Sequence, residues 1–316
     1  MNWFTKWSRL FVRWFKVLGG KSYYHQPQCL GKVFRPNELA GYFNDLTGKT
    51  QWIGSTDDEE IPVNILVDGR KIYFATAIVQ KALGHWDKWL LMSQEVDKKE
   101  FLKLSRWLLA RQDGDGGWPV WRELNMSFPS PYSAMTQGEC ISAFVRAWKL
   151  TKDDAYAEGA RRALTLLCRS IEEGDPAIYK GKDIFLEEVP SNPRVSILNG
   201  WIFALFGLYD FWLAFSDKQT YGIFKQSLDT LLAYLGEYDA GYWSYYEIQK
   251  YLASPFYHDL HIHQLKALVM VESNSCLTQI LGRWEAYQQS RVNRFRALSV
   301  KALQKLREPG EAVVIR

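Results

Sequence analysis

Cysteine is sparse, and its four positions, Cys29, Cys140, Cys168 and Cys276, are widely scattered with no CxxC pair. That spacing fits neither a disulfide framework nor a zinc site, so reduced core thiols in a cytosolic protein are expected. Histidine is sparse too, at 5 residues, and no HExxH stretch or Walker-type loop is present. A catalytic metal and a nucleotide site are therefore not expected. The chain begins without the uncharged apolar segment of roughly 7–15 residues that a secretory signal needs, which favours a cytoplasmic setting. The uncharged run Val195–Tyr209 ends at Asp210. A membrane span needs about 20 such residues, so a fully buried helix is the better reading.

What is abundant is aromatic surface: 14 Trp, 17 Tyr and 17 Phe, in a chain of 316 residues that is 47% hydrophobic. Such a chain can bury a sizeable core. The aromatic excess suits a carbohydrate cleft, where ring faces stack on sugar C–H groups, although large cores also absorb aromatics. The net charge of +4 permits a polyanionic partner without demanding one, and no nucleic-acid partner is expected.

Residues 3–18 (WFTKWSRLFVRWFKVL) place Trp3, Trp7, Leu10, Phe11, Trp14 and Leu18 on one helical face flanked by Lys6, Arg9, Arg13 and Lys16. A basic amphipathic helix of this kind lies on an anionic membrane surface, or docks on its own protein or on a second copy; both readings stay open. From Tyr23 to Arg70 prolines and glycines punctuate short segments. Within them Ile61–Tyr73 carries an Asp68-Gly69 dipeptide between apolar runs, a hairpin signal. The acidic cluster Asp57, Asp58, Glu59 and Glu60 lacks the alternate spacing of a calcium loop. A solvated turn is preferred there over structural calcium.

From Phe74 onward the pattern predicts helices at 74–92, 97–111, 132–150, 153–171, 195–216, 218–236, 258–272 and 276–307, the last open to a break. Long helices joined by short loops suggest a mainly α fold, an incomplete (α/α) toroid of paired inner and outer helices. The expected division is a basic amphipathic helix at 1–20, a β-hairpin and loop region at 21–73, and the toroid at 74–316. The loops Gln112–Trp118 (QDGDGGW) and Tyr238–Trp243 (YDAGYW) read as traces of an internal repeat.

Three polar clusters open predicted inner helices. The first holds Tyr132, Ser133, Gln137 and Glu139; the second Glu187, Glu188, Arg194 and Asn199. The third joins the WSYYE stretch ending at Glu247 with Tyr257, His258, Asp259, His261 and His263. Pro190 and Pro193 keep the second cluster extended and non-helical. Helix N-termini turned into one cavity would concentrate positive potential, suited to a carboxylate-bearing substrate. A carboxylate and two phenols across such a cavity could supply a base and an acid on opposite faces of a sugar ring. The histidines lack a closed four-ligand set, so hydrogen-bonded roles are preferred over metal ligation. Tyr132, Ser133, Gln137, Arg194, Asn199, His258 and His261 are the candidate substrate contacts.

These clusters carry a resemblance. FLEEVPSNP followed by LNGWIFALFGLYD, then YDAGYWSYYEI and SPFYHDLHIHQLKAL, resemble the C-terminal catalytic domain of D-glucuronyl 5-epimerases. PYSAMTQGECISAFVRAW is similar to an upstream helix of that family, and GKVFRPNELAGYF and YFATAIVQKALGHW are similar more loosely, so the likeness spans about 31–290. It implies inversion of glucuronate to iduronate at carbon 5 in a heparosan or heparan-type polysaccharide, with no cofactor required, and a homodimer. It implies Glu188, Tyr246 and Tyr257 as catalytic residues and Asn199 as a substrate contact. Two positions depart from the pattern: Val189 stands where animal enzymes have a tyrosine, and Gln249 where they have an arginine. Arg194 is the candidate that takes over recognition of the carboxylate.

Other readings remain. A uronate-polysaccharide lyase begins with the same proton abstraction and ends by expelling the group at carbon 4. A terpenoid cyclase fits Gln112, Gly116 and Trp118 as Q-x3-G-x-W, but no DxDD or DDxxD stretch is present to ionise a prenyl substrate. A non-catalytic glycan-binding protein is the alternative from a different class.

Overall fold

Helices in the computed structural model, which describes residues 26–66, 68–307 and 314–315, follow the hydrophobic pattern closely. They are α1 (Ala75–Met92), α2 (Glu95–Ala110), the short α3 (Val120–Glu123), α4 (Ala134–Thr151), α5 (Asp154–Cys168), α6 (Leu198–Phe215), α7 (Lys218–Tyr234), α8 (Pro255–Val271), α9 (Ser275–Gln289) and α10 (Arg291–Arg307). The basic helix expected at residues 3–18 lies outside the described residues. The helix expected at 276–307 is two helices, interrupted at Ser290.

The helices come as antiparallel pairs, and the turns of the first three pairs repeat one device. Ser93, Lys152 and Ser216 each take the left-handed backbone (φ 54°, 60° and 54°) that stops the first helix. The next residue or two then starts the second, and the carboxylates of Asp153 and Asp217 cap α5 and α7 by accepting from the backbone N–H of Ala155 and Thr220. In each pair one helix is deeply buried and the other buries only a stripe. Every residue of α6 from Leu198 to Phe211 is buried, whereas α7 buries Thr220, Phe224, Ser227, Leu228, Thr230 and Leu231, a helical spacing. Helices α1, α4, α6 and α8 pack side by side as an inner layer, with α2, α5, α7 and α9 as their partners outside. The fold is thus mainly helical with small sheets. Helix α6 is long and apolar enough to cross a membrane, but 78% of it is buried inside the fold, so it serves as the core helix. Phe43 stacks on Phe206 with ring centroids 3.9 Å apart, which pins the N-terminal segment to that core.

The hairpin expected at Ile61–Tyr73 forms from β2 (Pro62–Leu66) and β3 (Lys71–Ile72), with Asn64 opposite Ile72. Strand β1 (Ser55–Thr56) pairs antiparallel with β2 through Thr56 opposite Pro62, and β6 (314–315) pairs antiparallel with β2 at Ile65 and Leu66. A second hairpin, β4 (Ala177–Lys180) with β5 (Asp183–Leu186), was not anticipated. It matters because β5 delivers Glu187 and Glu188.

Candidate active site

Glu187 is the joint from which the site is built. It is fully buried. Its carbonyl accepts from the N–H of Ala134, at the start of α4. Its carboxylate accepts from the Ser196 N–H (2.8 Å) and from the Ser196 hydroxyl. Ser196 sits in the left-handed region (φ 42°), a strained place for a residue with a Cβ, and these two bonds hold it there. The chain can then turn into α6. Glu187 is structural, and its neighbour Glu188 is the carboxylate that reaches the cavity.

That cavity has a volume of about 390 Å³, within the roughly 300–1,000 Å³ range of small-ligand sites. The N-caps and first turns of the four inner helices line it: Phe74, Thr76 and Ala77 at the start of α1, Ser133 and Met135 at the start of α4, Asn199 from α6, and Phe256 and Tyr257 from α8. Their dipoles direct partial positive charge inward. The other wall comes from the N-terminal segment, through Gln28, Lys49, Trp52 and Asn64. Three buried amide oxygens around the cavity, Gln28 Oε1, Asn64 Oδ1 and Asn199 Oδ1, find no partner among the described residues. Buried acceptors of this kind are costly unless a ligand supplies donors, and sugar hydroxyls do.

Glu188 lies against the first turn of α6. A Cβ added to Gly200 would stand 2.2 Å from its Oε2, so only glycine leaves room for the carboxylate there. The Asn199 amide donates to Oε2 at 3.4 Å, and the Trp121 indole donates to the Glu188 carbonyl at 3.0 Å. Protein walls the carboxyl on most sides while one side opens to the cavity. Burial and the neighbouring Glu187 charge push it up to about 7, against the Asn199 bond. Tyr257 is in the first turn of α8, where the Ser254 hydroxyl caps its N–H. Tyr246 lies behind it with ring centroids 4.6 Å apart, and its carbonyl accepts from the N–H of Leu198 at the start of α6. Burial first, then the Tyr257 and Glu188 charges, push Tyr246 far above the ordinary phenol range. Burial and Glu188 raise Tyr257 as well, opposed by a hydrogen bond from Tyr246. The three groups therefore form one electrostatic unit: a carboxyl that titrates near neutrality and a phenol pair that stays protonated.

Of the expected substrate contacts, Ser133 and Asn199 line the cavity. The other five lie outside the cavity lining. The Tyr132 hydroxyl donates to Asp113 (2.8 Å) and Asp115 (3.0 Å), which fastens the QDGDGGW loop. Gln137 is buried against Gly117 and Tyr132, outside the cavity lining. The Arg194 guanidinium stacks 3.9 Å above the Phe185 ring and 5.2 Å from that of Tyr234. His258 and His261 form a buried clamp on Ser244. The Ser244 N–H donates to His258 Nδ1 (3.2 Å), so Nε2 carries the proton toward the Trp284 carbonyl (3.3 Å). Burial pushes His258 down to about 3 and His261 well below its ordinary value, so both are neutral. They brace the loop that carries Tyr246.

Lining residues that carried no weight in the sequence include Lys49, Gln28 and Asn64. Asn64 left a signal, a polar residue inside the apolar strand VNIL. Below the floor Glu139 accepts from the Gln80 amide (3.0 Å), and burial pushes it up to about 8. Metal-type donors gather elsewhere, at Cys29, Asp259 and His263, whose ligand atoms lie within 4.8 Å of one another. In the acidic cluster considered for calcium, the Asp57 carboxylate accepts from the N–H groups of Glu59 and Ile61 and from the Tyr73 hydroxyl, which closes a turn.

Comparison with known proteins gives four findings. A family model described as D-glucuronyl C5-epimerase C-terminus matches residues 112–286. The D-glucuronyl C5-epimerase of Caenorhabditis elegans is 27% identical over 219 residues, covering 61% of this chain and 36% of that protein. An uncharacterized protein of Methanocaldococcus jannaschii is 30% identical over 160 residues, covering 47% of this chain and 51% of that protein. The chain thus spans between about a third and a half of the length of these curated relatives. A solved structure of a protein abbreviated UGL, with dGlcA-Glc-Rha-Glc, aligns at a TM-score of 0.45 and 14% identity over 67% of this chain and 60% of that one.

Proposed function

The chain belongs to the D-glucuronyl C5-epimerase C-terminal family, and from that premise we propose that it inverts carbon 5 of D-glucuronate to L-iduronate in a heparosan-like polysaccharide. The observation that carries this reading is that Glu188 and Tyr257 line one cavity, with Tyr246 packed against Tyr257 behind it. We read the two helix layers around it as an incomplete (α/α) toroid with the cavity at its mouth.

The chemistry follows from the protonation states. The proton on carbon 5 lies beside a carboxylate, so its removal needs a base, a stabilised anion and little water. Glu188, near 7, is ionised in a large fraction of molecules at neutral pH and takes that proton. Tyr257 is protonated and delivers its own proton to the opposite face of carbon 5, which inverts the centre. Tyr246, donating into the Tyr257 oxygen, steadies the phenolate that remains. The turnover leaves Glu188 with one proton more and Tyr257 with one fewer, and a proton passed back through solvent restores the start. In the iduronate-to-glucuronate direction the two exchange roles. The pocket's aromatic walls and unpartnered amide oxygens suit a sugar ring and its hydroxyls.

The test is incubation with heparosan in deuterium oxide, read by proton NMR. Deuterium at carbon 5 with new iduronate signals is expected, and Tyr257→Phe and Glu188→Gln should each abolish it. Exchange accompanied by unsaturated chain ends would make the protein a lyase, and no exchange would reject heparosan as substrate. We also propose a cytoplasmic setting, with residues 3–18 on an anionic membrane surface. Deleting residues 1–20 should then move the protein from the membrane pellet to the supernatant with exchange activity kept.

A further inference from the structure

Removing the carbon 5 proton builds charge beside a group that is already anionic, so a cation or strong donors must meet the uronate carboxylate. Among the described side chains lining the cavity, the charged ones are Glu188 and Lys49, and Lys49 alone has the required sign. Arg194, the candidate for this task in the sequence, stacks on Phe185 instead. Gln249, at the position where animal enzymes carry arginine, is exposed with its amide on the Arg194 carbonyl at 3.4 Å. We propose that Lys49 binds the carboxylate of the uronate ring in the cavity. The assignment rests on the epimerase reading for its chemistry and on the cavity lining for its geometry.

The turn that carries Lys49 is built to hold a position. Thr47–Thr50 is a 3-10 turn. The Asp45 carboxylate accepts from the Thr47 N–H (2.9 Å) and hydroxyl (2.5 Å) and pairs with Lys32 at 2.9 Å, while the Thr50 hydroxyl donates to the Thr47 carbonyl (2.8 Å). The segment rests directly on α1, because a Cβ added to Gly84 would stand 2.3 Å from the Leu46 carbonyl oxygen. The Lys49 charge opposes the burial-driven rise of Glu139 under the cavity floor. Gln26, Gln28 and Gln51 line the same wall, with amide N–H groups able to share a carboxylate or a neighbouring hydroxyl. The cation and the acid–base groups thus come from different parts of the chain. Glu188 and Tyr257 lie in the family-matched region, and Lys49 lies ahead of it.

The experiment compares binding of heparosan oligosaccharides with binding of the same oligosaccharides after reduction of their uronate carboxyls, for the full chain and for Lys49→Met and Lys49→Arg. The wild type should prefer the carboxylate form. Lys49→Met should lose at least tenfold of that preference, and carbon 5 exchange should fall at least 100-fold. Lys49→Arg should recover part of both, and circular dichroism should match the wild type throughout. An unchanged preference in a folded Lys49→Met protein overturns the assignment, as does a wild type with no preference. If Lys49→Met fails to fold, Lys49→Arg and Lys49→Gln decide by the same two readouts. A wild type that prefers the carboxylate form yet never exchanges carbon 5 leaves Lys49 standing and removes the epimerase reading instead. Exchange that persists undiminished in Lys49→Met does the reverse.

Discussion

Replacing the proposed base should make the protein more stable, and only above acid pH. Glu188 is raised from its ordinary 4.5 to about 7, chiefly by burial and by Glu187. A carboxyl raised on folding holds its proton more tightly in the folded state. Its contribution is therefore fully favourable below pH 4.5, is lost as pH rises, and the loss is complete above about 7. At about 1.4 kcal/mol per pH unit the displacement corresponds to about 3 kcal/mol. Because the carboxyl opens to the cavity on one side, solvent screens part of this, and we expect about 2 kcal/mol. Glu188→Gln keeps the shape and can still accept from the Asn199 amide, but has no charge to bury. Urea unfolding of the wild type and Glu188→Gln at pH 5 and pH 8 measures the difference. At pH 8 the variant should be more stable by about 2 kcal/mol, and at pH 5 by less than about 1 kcal/mol. An equal gain at both pH values, or none at pH 8, would refute the argument that this carboxylate is ionised against its surroundings.

Part of this was legible in the residues alone. The uncharged run from Val195, ended by Asp210, marks α6 as buried, and the left-handed stops at Ser93, Lys152 and Ser216 sit within a few residues of the expected helix ends. Glu188, Tyr246 and Tyr257 came from the family resemblance, since no periodicity distinguishes a catalytic phenol from a packing one. Direction was the missing information. The polar residues before α4 and α6 were visible, yet Tyr132 turns to Asp113 and Arg194 turns to Phe185, because loops and a hairpin from elsewhere in the chain offer those partners. Lys49 was invisible for the complementary reason. Its place on the wall of the cavity that Glu188 and Tyr257 also line exists only once Phe43 has packed on Phe206 and the turn has seated on Gly84.

Three further outcomes are expected. Gly200→Ala drives a Cβ to 2.2 Å from Glu188 Oε2, and displacing that carboxylate should cost about 100-fold in carbon 5 exchange with little change in helicity by circular dichroism; near-normal exchange would remove Glu188 from the chemistry. In the glucuronate-to-iduronate direction kcat/KM should rise about tenfold per pH unit up to about 7 and then level, since the ionised Glu188 is the active form; a rate that rises toward acid would reverse its role. The last concerns what holds the N-terminal wall in place. Buried Arg146 pairs with Asp210 and donates to the carbonyls of Ala40 and Gly41, each at 3.1 Å, so it ties α4 and α6 to the segment leading to Lys49. Arg146→Met strands the Asp210 carboxylate and should cost about 3–5 kcal/mol in urea unfolding. Adding Asp210→Leu removes the stranded charge and should recover most of that stability. The Gly41 carbonyl would still lack its donor and the Ala40 carbonyl would keep only the Trp86 indole N–H, so the Lys49 wall should loosen and exchange should stay low. A double variant as unstable as Arg146→Met alone would show that the cost lies in those carbonyls and not in the unpaired carboxylate.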